Sequence, residues 1–200
     1  MARERNTSVL EEEYQERRQL PQHLRPVPEP EPGFEYTIRP ATVADLPSVR
    51  EIYNHYVRNS TVTFDEKAIS LAELRRKFAH IQKLKMPYLV AENPRGEILG
   101  YAYVYPWKEK AAYRFTVENS IYLGPAATSK GLGKALLAEL IAASKAAGIK
   151  EIIAVIADKG ADASIQMHKN FGFKEIGHMG KVGFKFDRWL GTVLMQKSLK

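Results

Sequence analysis

The stretch TVENSIYLGPAATSKGLGKALLAEL, residues 116–140, reads as three pieces in succession. An alternating, β-branched run opens it and a small-residue turn with two glycines follows. An amphipathic pattern closes it, with Ala135, Leu136, Leu137, Leu140 and Ile141 apolar at mixed three- and four-residue spacing. This predicts a strand feeding a helix through a Gly-rich loop. Gly131 and Gly133 sit where that helix begins, and glycine lets a backbone approach a ligand without a Cβ in the way. The unpaired N–H groups of a first helical turn attract anions, and Lys130 and Lys134 add positive charge beside them. The loop therefore reads as a candidate pyrophosphate cradle; from the two glycines alone it reads equally as a tight turn. Two other phosphate motifs do not match. A Walker loop needs Ser or Thr after Gly-Lys, where Ala135 stands, and a dinucleotide fingerprint needs a third glycine, where Leu136 stands.

Two hundred residues, 44% of them hydrophobic, suffice for one domain with a real core. No apolar run reaches the roughly 20 residues that span a bilayer, and the first thirty residues lack a secretory pattern. We expect a cytoplasmic protein, or a nuclear one, rather than a secreted or membrane protein. With no cysteine there is no disulfide, thiolate zinc site or cysteine nucleophile, so any acyl transfer is expected to be direct. The histidines His23, His55, His80, His168 and His178 include no close ligand pair, and no metal is expected. The formal charge of +7 is uneven: residues 1–35 carry five Arg and eight Glu, which leaves +10 on residues 36–200. A basic domain attracts anions, but its lysines are dispersed and no nucleic-acid-reading motif accompanies them. A phosphorylated cofactor and an anionic substrate are the expected partners, and nucleic acid is not.

Residues 1–35 hold five of the eleven prolines, including PVPEPEP at 26–32, and read as a flexible, proline-rich extension. The domain proper, residues 36–200, starts with an alternating strand at 36–39. Thr42 with Asp45, then Ser70 with Glu73, resemble capping boxes ahead of two amphipathic helices. A hairpin is predicted from strands at 88–91 and 99–105 around a Pro94-Arg95-Gly96 turn. The quoted strand, loop and helix follow, with Gly148 as the helix stop. Residues 151–157 are continuously apolar, as in a strand buried on both faces. A helix from Asp162 or Ala163 to about Gly172 follows, then strands at 173–177 and 189–196 joined by a loop through Phe184. Pattern alone supports an α/β or α+β domain with a mixed sheet.

Within the quoted stretch, Glu118 is the candidate general base, because its neighbours Phe115, Val117 and Ile121 are apolar and would raise its pKa. Residues alone favour the plainer alternative of a strand carboxylate facing water. His168 likewise reads first as a structural histidine on a helix.

Residues 128–133, Thr-Ser-Lys-Gly-Leu-Gly, resemble the pyrophosphate loop Arg/Gln-x-x-Gly-x-Gly/Ala of the GNAT family of acetyl-CoA-dependent N-acetyltransferases, with Thr128 at the Arg/Gln position. Thr116-Val117-Glu118-Asn119-Ser120 is similar to the Thr-Val-Glu-His/Asn-Ser of its phosphinothricin and methionine sulfoximine acetyltransferase branch. Asn54-His55-Tyr56, residues 60–64, Trp107-Lys108-x-Lys110-x-x-Tyr113 and Met167-His168 before Gly172-Phe173 are further matches, and the resemblance spans residues 36–198. It implies the GNAT fold, a mixed and mostly antiparallel sheet whose central strands splay apart to admit the cofactor, flanked by helices. It implies an acetyl-CoA-dependent N-acetyltransferase that detoxifies a small amino acid or analogue of the phosphinothricin, methionine sulfoximine or proline-analogue type. Glu118 becomes the base and His168 a catalytic or orienting residue. Lys108, Lys110 and Tyr113 bind the substrate anions, Lys110 replacing an Arg, and Phe64 covers the pocket. Ile121, Tyr122 and Leu123 would pair with the pantetheine arm. Thr128, Ser129, Lys130, Gly131, Leu132, Gly133 and Lys134 hold the pyrophosphate. Asp162 and Ser164 stand near the arm, Ala161 replacing the usual Asn. The resemblance also implies a homodimer. Two other functions remain open: a peptide, protein N-terminal or polyamine acetyltransferase of the same fold, and a non-catalytic CoA-binding module.

Overall fold

The computed structural model describes residues 34–200. The extension expected over residues 1–35 lies, but for its last two residues, outside the described residues.

Strand β1 (Thr37–Pro40) leads through a short 3-10 turn, Val43–Asp45, into helix α1 (Leu46–Asn59). The capping box forms: the Thr42 N–H donates to Asp45 Oδ2 at 2.7 Å and its hydroxyl does so at 3.0 Å. Arg39 grips the same carboxylate with both terminal nitrogens, at 2.8 and 2.9 Å, and reaches Glu92 through Nε at 2.7 Å. That guanidinium pulls the Asp45 pKa down to about 2. Helix α2 (Leu71–Lys83) starts at the second box, where Ser70 and Glu73 exchange hydrogen bonds.

Strands β2 (Tyr88–Glu92) and β3 (Ile98–Pro106) form the predicted hairpin. β4 (Thr116–Leu123), α3 (Leu132–Ala146), β5 (Glu151–Ala157), α4 (Asp162–Asn170), β6 (Lys174–Lys185) and β7 (Arg188–Ser198) complete the domain. The strands lie in the order β1-β2-β3-β4-β5-β7-β6, antiparallel everywhere except between β4 and β5. That one parallel pairing runs only from Thr116 opposite Glu151 to Glu118 opposite Ile153. Beyond it the two strands part, so the sheet is splayed at its centre.

Strand alternation sorts the faces. Tyr88, Val90, Tyr101 and Tyr103 point to one face and pack with Leu46, Val49 and Ile52 of α1 and Leu74, Phe78 and Ile81 of α2. Ala102, Val104 and Val117 belong to the opposite face, where α3 contributes the fully buried Leu132, Leu136, Leu137 and Leu140.

The final hairpin differs from the sequence reading. β6 runs on to Lys185, so Phe184 lies in the strand. The chain reverses at Phe186-Asp187, both left-handed with φ 52° and 57°, the geometry of a two-residue hairpin turn. Residues 177–183, GHMGKVG, carry no alternation because register shifts near Gly177 and Gly183 break it.

Candidate active site

Glu118 is the last residue of β4 paired to β5, and across β3 it faces Tyr105. Its side chain shares a face with Ser120 and Tyr122, the face covered by α1 and α2. A cleft of about 450 Å³ opens there, lined by Lys77, Tyr103, Tyr105, Glu118 and Ser120. Burial raises the Glu118 pKa, while the ammonium groups of Lys77 and Lys108 oppose the rise. Lys77 comes from α2. Its Nζ donates to the Tyr103 hydroxyl at 2.6 Å and rides over the Tyr103 and Tyr105 rings, 4.6 and 5.6 Å from their centroids.

A second cleft, about 400 Å³, is lined by Lys108, Glu109, Lys110 and Tyr113. The three expected anion-binding residues are thus brought together, with the Lys108 ammonium 4.8 Å from the Trp107 ring centroid. Phe64 lines neither cleft. Its ring rests on β6 so closely that a Cβ on Gly183 would meet Phe64 at 2.5 Å.

His168 is buried, 3% exposed, its ring edge-on to Phe173. Nδ1 lies 2.8 Å from the Ser164 carbonyl, which can only accept, so Nδ1 carries the proton. Nε2 then accepts from Asn119 Nδ2 at 3.0 Å. Burial lowers the ring's pKa, the Ser164 bond opposing it, so the imidazole is neutral at pH 7 with both nitrogens engaged. Asn119 is also buried, and its Oδ1 has no hydrogen-bond partner among the described residues.

Past Glu118 the outer edge of β4 is open. Trp107 N donates to Thr116 O and Gly124 N to Leu99 O, so the even-numbered residues turn their main chain toward β3. Ile121 and Leu123 face the open edge. The main chain of Tyr122 turns to β3 opposite Tyr101. The Leu123 carbonyl already accepts from the Tyr56 hydroxyl at 2.8 Å.

The edge leads to the N-terminus of α3. Ser129 (φ 61°) and Gly131 (φ 82°) adopt left-handed conformations there, and a Cβ on Gly131 would meet nothing within 4 Å. Lys130, Gly131 and Lys134 are exposed, Gly133 is half-buried and Leu132 is buried. Thr128 turns its hydroxyl back to the Pro125 carbonyl at 3.1 Å. Asp162 is exposed at the start of α4, and Ser164 serves His168. An open strand edge running into a helix N-terminus fits an amide-bearing arm that ends in a diphosphate. Among the described residues no group of three His, Asp or Glu side chains could hold a metal ion, and no helix is long and apolar enough to cross a membrane.

Sequence reading missed Lys77, which looks like any solvated lysine on an amphipathic helix. It also passed over Tyr103 and Tyr105, although the alternation in YAYVY, residues 101–105, marks one face.

Residues 38–194 match the family model for the acetyltransferase (GNAT) domain. A phosphinothricin N-acetyltransferase of Alcaligenes faecalis is 42% identical over 163 residues, 82% of each chain. An L-methionine sulfoximine/L-methionine sulfone acetyltransferase of Pseudomonas paraeruginosa is 40% identical over 82% of this chain and 94% of its own. The crystal structure of a phosphinothricin acetyltransferase from Sinorhizobium meliloti in complex with acetyl-CoA superposes with a TM-score of 0.78 at 45% identity, covering 82% of this chain and 88% of that one. Fold, splayed edge and sequence agree: the chain belongs to the GNAT family and is an acetyl-CoA-dependent N-acetyltransferase. Its branch is the one that includes the phosphinothricin and methionine sulfoximine enzymes.

Proposed function

We propose that the protein acetylates the α-amine of an anionic amino acid or amino-acid analogue of the phosphinothricin, methionine sulfoximine or proline-analogue type, with Glu118 as general base. The observation that carries this is a part-buried carboxylate, pKa raised, facing a cleft with cations on two sides where β4 and β5 separate. Acetyl-CoA supplies the acetyl thioester. Ile121 and Leu123 offer main-chain groups to its arm, and the first turn of α3 with Lys130, Gly131, Leu132, Gly133 and Lys134 holds the diphosphate. An α-ammonium, mostly protonated at neutral pH, must lose a proton before it can attack. Glu118, directly or through a water, accepts that proton; as the C–N bond forms the thioester C–S bond breaks, and CoA leaves as the thiol with the proton that the attacking nitrogen then gives up. Lys108, Lys110 and Tyr113 hold the acceptor's side-chain anion. His168 acts as a positioning residue that fixes the Asn119 amide beside the open edge.

A polyamine or basic peptide acceptor would meet repulsion from Lys77, Lys108 and Lys110, which favours the anionic amino acid. Masking such an amine fits detoxification of an antimetabolite. A reaction that consumes acetyl-CoA fits a cytoplasmic enzyme. A homodimer completes the reading, because the outer hairpin leaves Ile176, Val182, Phe184, Phe186 and Trp189 exposed for a second copy; sedimentation equilibrium tests this.

The deciding experiment measures CoA-thiol release from acetyl-CoA with amino acids, phosphinothricin, methionine sulfoximine, proline analogues, peptides and polyamines, beside Glu118→Gln. Turnover on an anionic amino-acid class, reduced about 10²–10⁴-fold in the variant, is the expected result. Acetyl-CoA binding without turnover on any amine would leave a non-catalytic CoA-binding module.

A further inference from the structure

The cleft that contains Glu118 has one cationic lining residue, Lys77, and the reading above gives its ammonium no group of the acceptor to hold. Its ammonium has three donors. One goes to the Tyr103 hydroxyl, and none of the salt bridges among the described residues includes it. The ammonium lies over the rings of Tyr103 and Tyr105, which holds the charge at the cleft. Lys108 and Lys110 line the neighbouring cleft, from which the Lys108 ammonium also acts on Glu118.

The geometry points to Lys77 as the residue that binds the acceptor's α-carboxylate and so selects free α-amino acids; this rests on the anionic amino-acid reading above. The reacting amine must come within reach of Glu118. In an α-amino acid the carboxylate is bonded to the same carbon, so its oxygens lie about 3 Å from the nitrogen by ordinary bond lengths. An anion that close to the amine has to find its cation in the same cleft, and there it finds Lys77. A side-chain anion several bonds away reaches the second cleft, with Lys108, Lys110 and Tyr113. Two separated cationic centres, one on α2 and one after β3, thus define an acceptor with two acidic groups, one next to its amine. The Tyr103 hydroxyl, fixed by Lys77, supplies a further polar contact to the same carboxylate.

The test compares steady-state kinetics of the wild type, Lys77→Met and Lys77→Arg on an amino acid that the wild type turns over and on its α-carboxamide, which keeps the amine and the side chain. Lys77→Met is expected to raise KM for the free acid at least tenfold relative to that for the carboxamide, any change at Glu118 being common to the two, and to spare KM for acetyl-CoA. Lys77→Arg is expected to restore most of the preference for acid over amide. That preference is a ratio within each variant, so it does not depend on how much of a variant folds. An equal loss on acid and amide, or an undiminished preference in Lys77→Met, would overturn the assignment while leaving the acetyltransferase reading intact. A wild type that turns over no amino acid would overturn both.

Discussion

At Glu118 two opposed effects meet on one carboxylate. Burial against the β3 tyrosines raises its pKa, and Lys77 and Lys108 hold the rise in check. Only the ionised form can accept a proton, so kcat/KM should fall as pH drops through a pKa above the ordinary 4.5 of glutamate. In Glu118→Gln that acid limb should be absent from the residual rate, which a pH profile would show. The stability effect has a definite sign. A carboxyl whose pKa is higher folded than unfolded stabilises the fold fully below its unfolded pKa, and this is lost as pH rises through the folded value. At pH 7 the ionised Glu118 is therefore a net cost, and Glu118→Gln should melt no lower than the wild type by calorimetry. Inactivity in a variant at least as stable would locate the loss in the chemistry. Glu118 was legible because the strand reads TVENS and a family motif coincides with it. Lys77 was not, since nothing in LRRKFAH distinguishes the lysine that bends over a cleft from those that meet solvent.

Among the elements, the loop of residues 60–65 and the β6–β7 hairpin support each other. Lys185, 2% exposed, donates from Nζ to the carbonyls of Ser60 and Thr63, both at 2.8 Å. Burial pulls its pKa down, while Asp65 and Glu66 push it up. Thr63 in turn lies 3.2 Å from the Tyr53 hydroxyl, which also binds Asp65, and the Tyr53 ring meets Tyr122 edge-on. Lys185→Met removes two hydrogen bonds to a charged donor, each worth about 1.5–3 kcal/mol. Amides of residues 62–65 should then exchange faster, with α3 unaffected. A few residues along β7 from the same turn, Gly191 donates to Asp158 at 3.1 Å, and a Cβ there would run into the Met179 carbonyl at 2.5 Å as well as the Asp158 carboxylate. Gly191→Ala should cost about 1–3 kcal/mol of stability, read by urea unfolding, because backbone cannot step aside as a side chain can. The helices were legible from Thr42 with Asp45 and Ser70 with Glu73, since capping is a contract between residues three apart. The length of β6 was not: GHMGKVG is a strand only because β7 pairs with it across two register shifts.

For the molecule as a whole, two apolar layers clamp a splayed sheet, and the opening exists because β4 and β5 are held together at one end only. α3 pins one layer. Leu137, fully buried in it, is expected to cost about 2–5 kcal/mol as Leu137→Ala. At roughly 2–4 °C per kcal/mol for a domain of this size, the melting temperature should drop by several degrees or more. The sequence by itself determined the element order, the Gly-rich turn into α3, the carboxylate on the central strand and the cation-rich segment after β3. All of these are encoded by neighbours a few residues apart or by short motifs. Only the tertiary structure decided that Lys77 from α2 shares a cleft with Glu118. It alone showed that His168 spends both nitrogens on Ser164 and Asn119, that Tyr122 turns its main chain to β3, and that the Phe64 ring rests against Gly183 of the hairpin. Each of those depends on which strand lies beside which and where the pairing stops, and such contacts join residues tens of positions apart that leave no periodic trace along the chain.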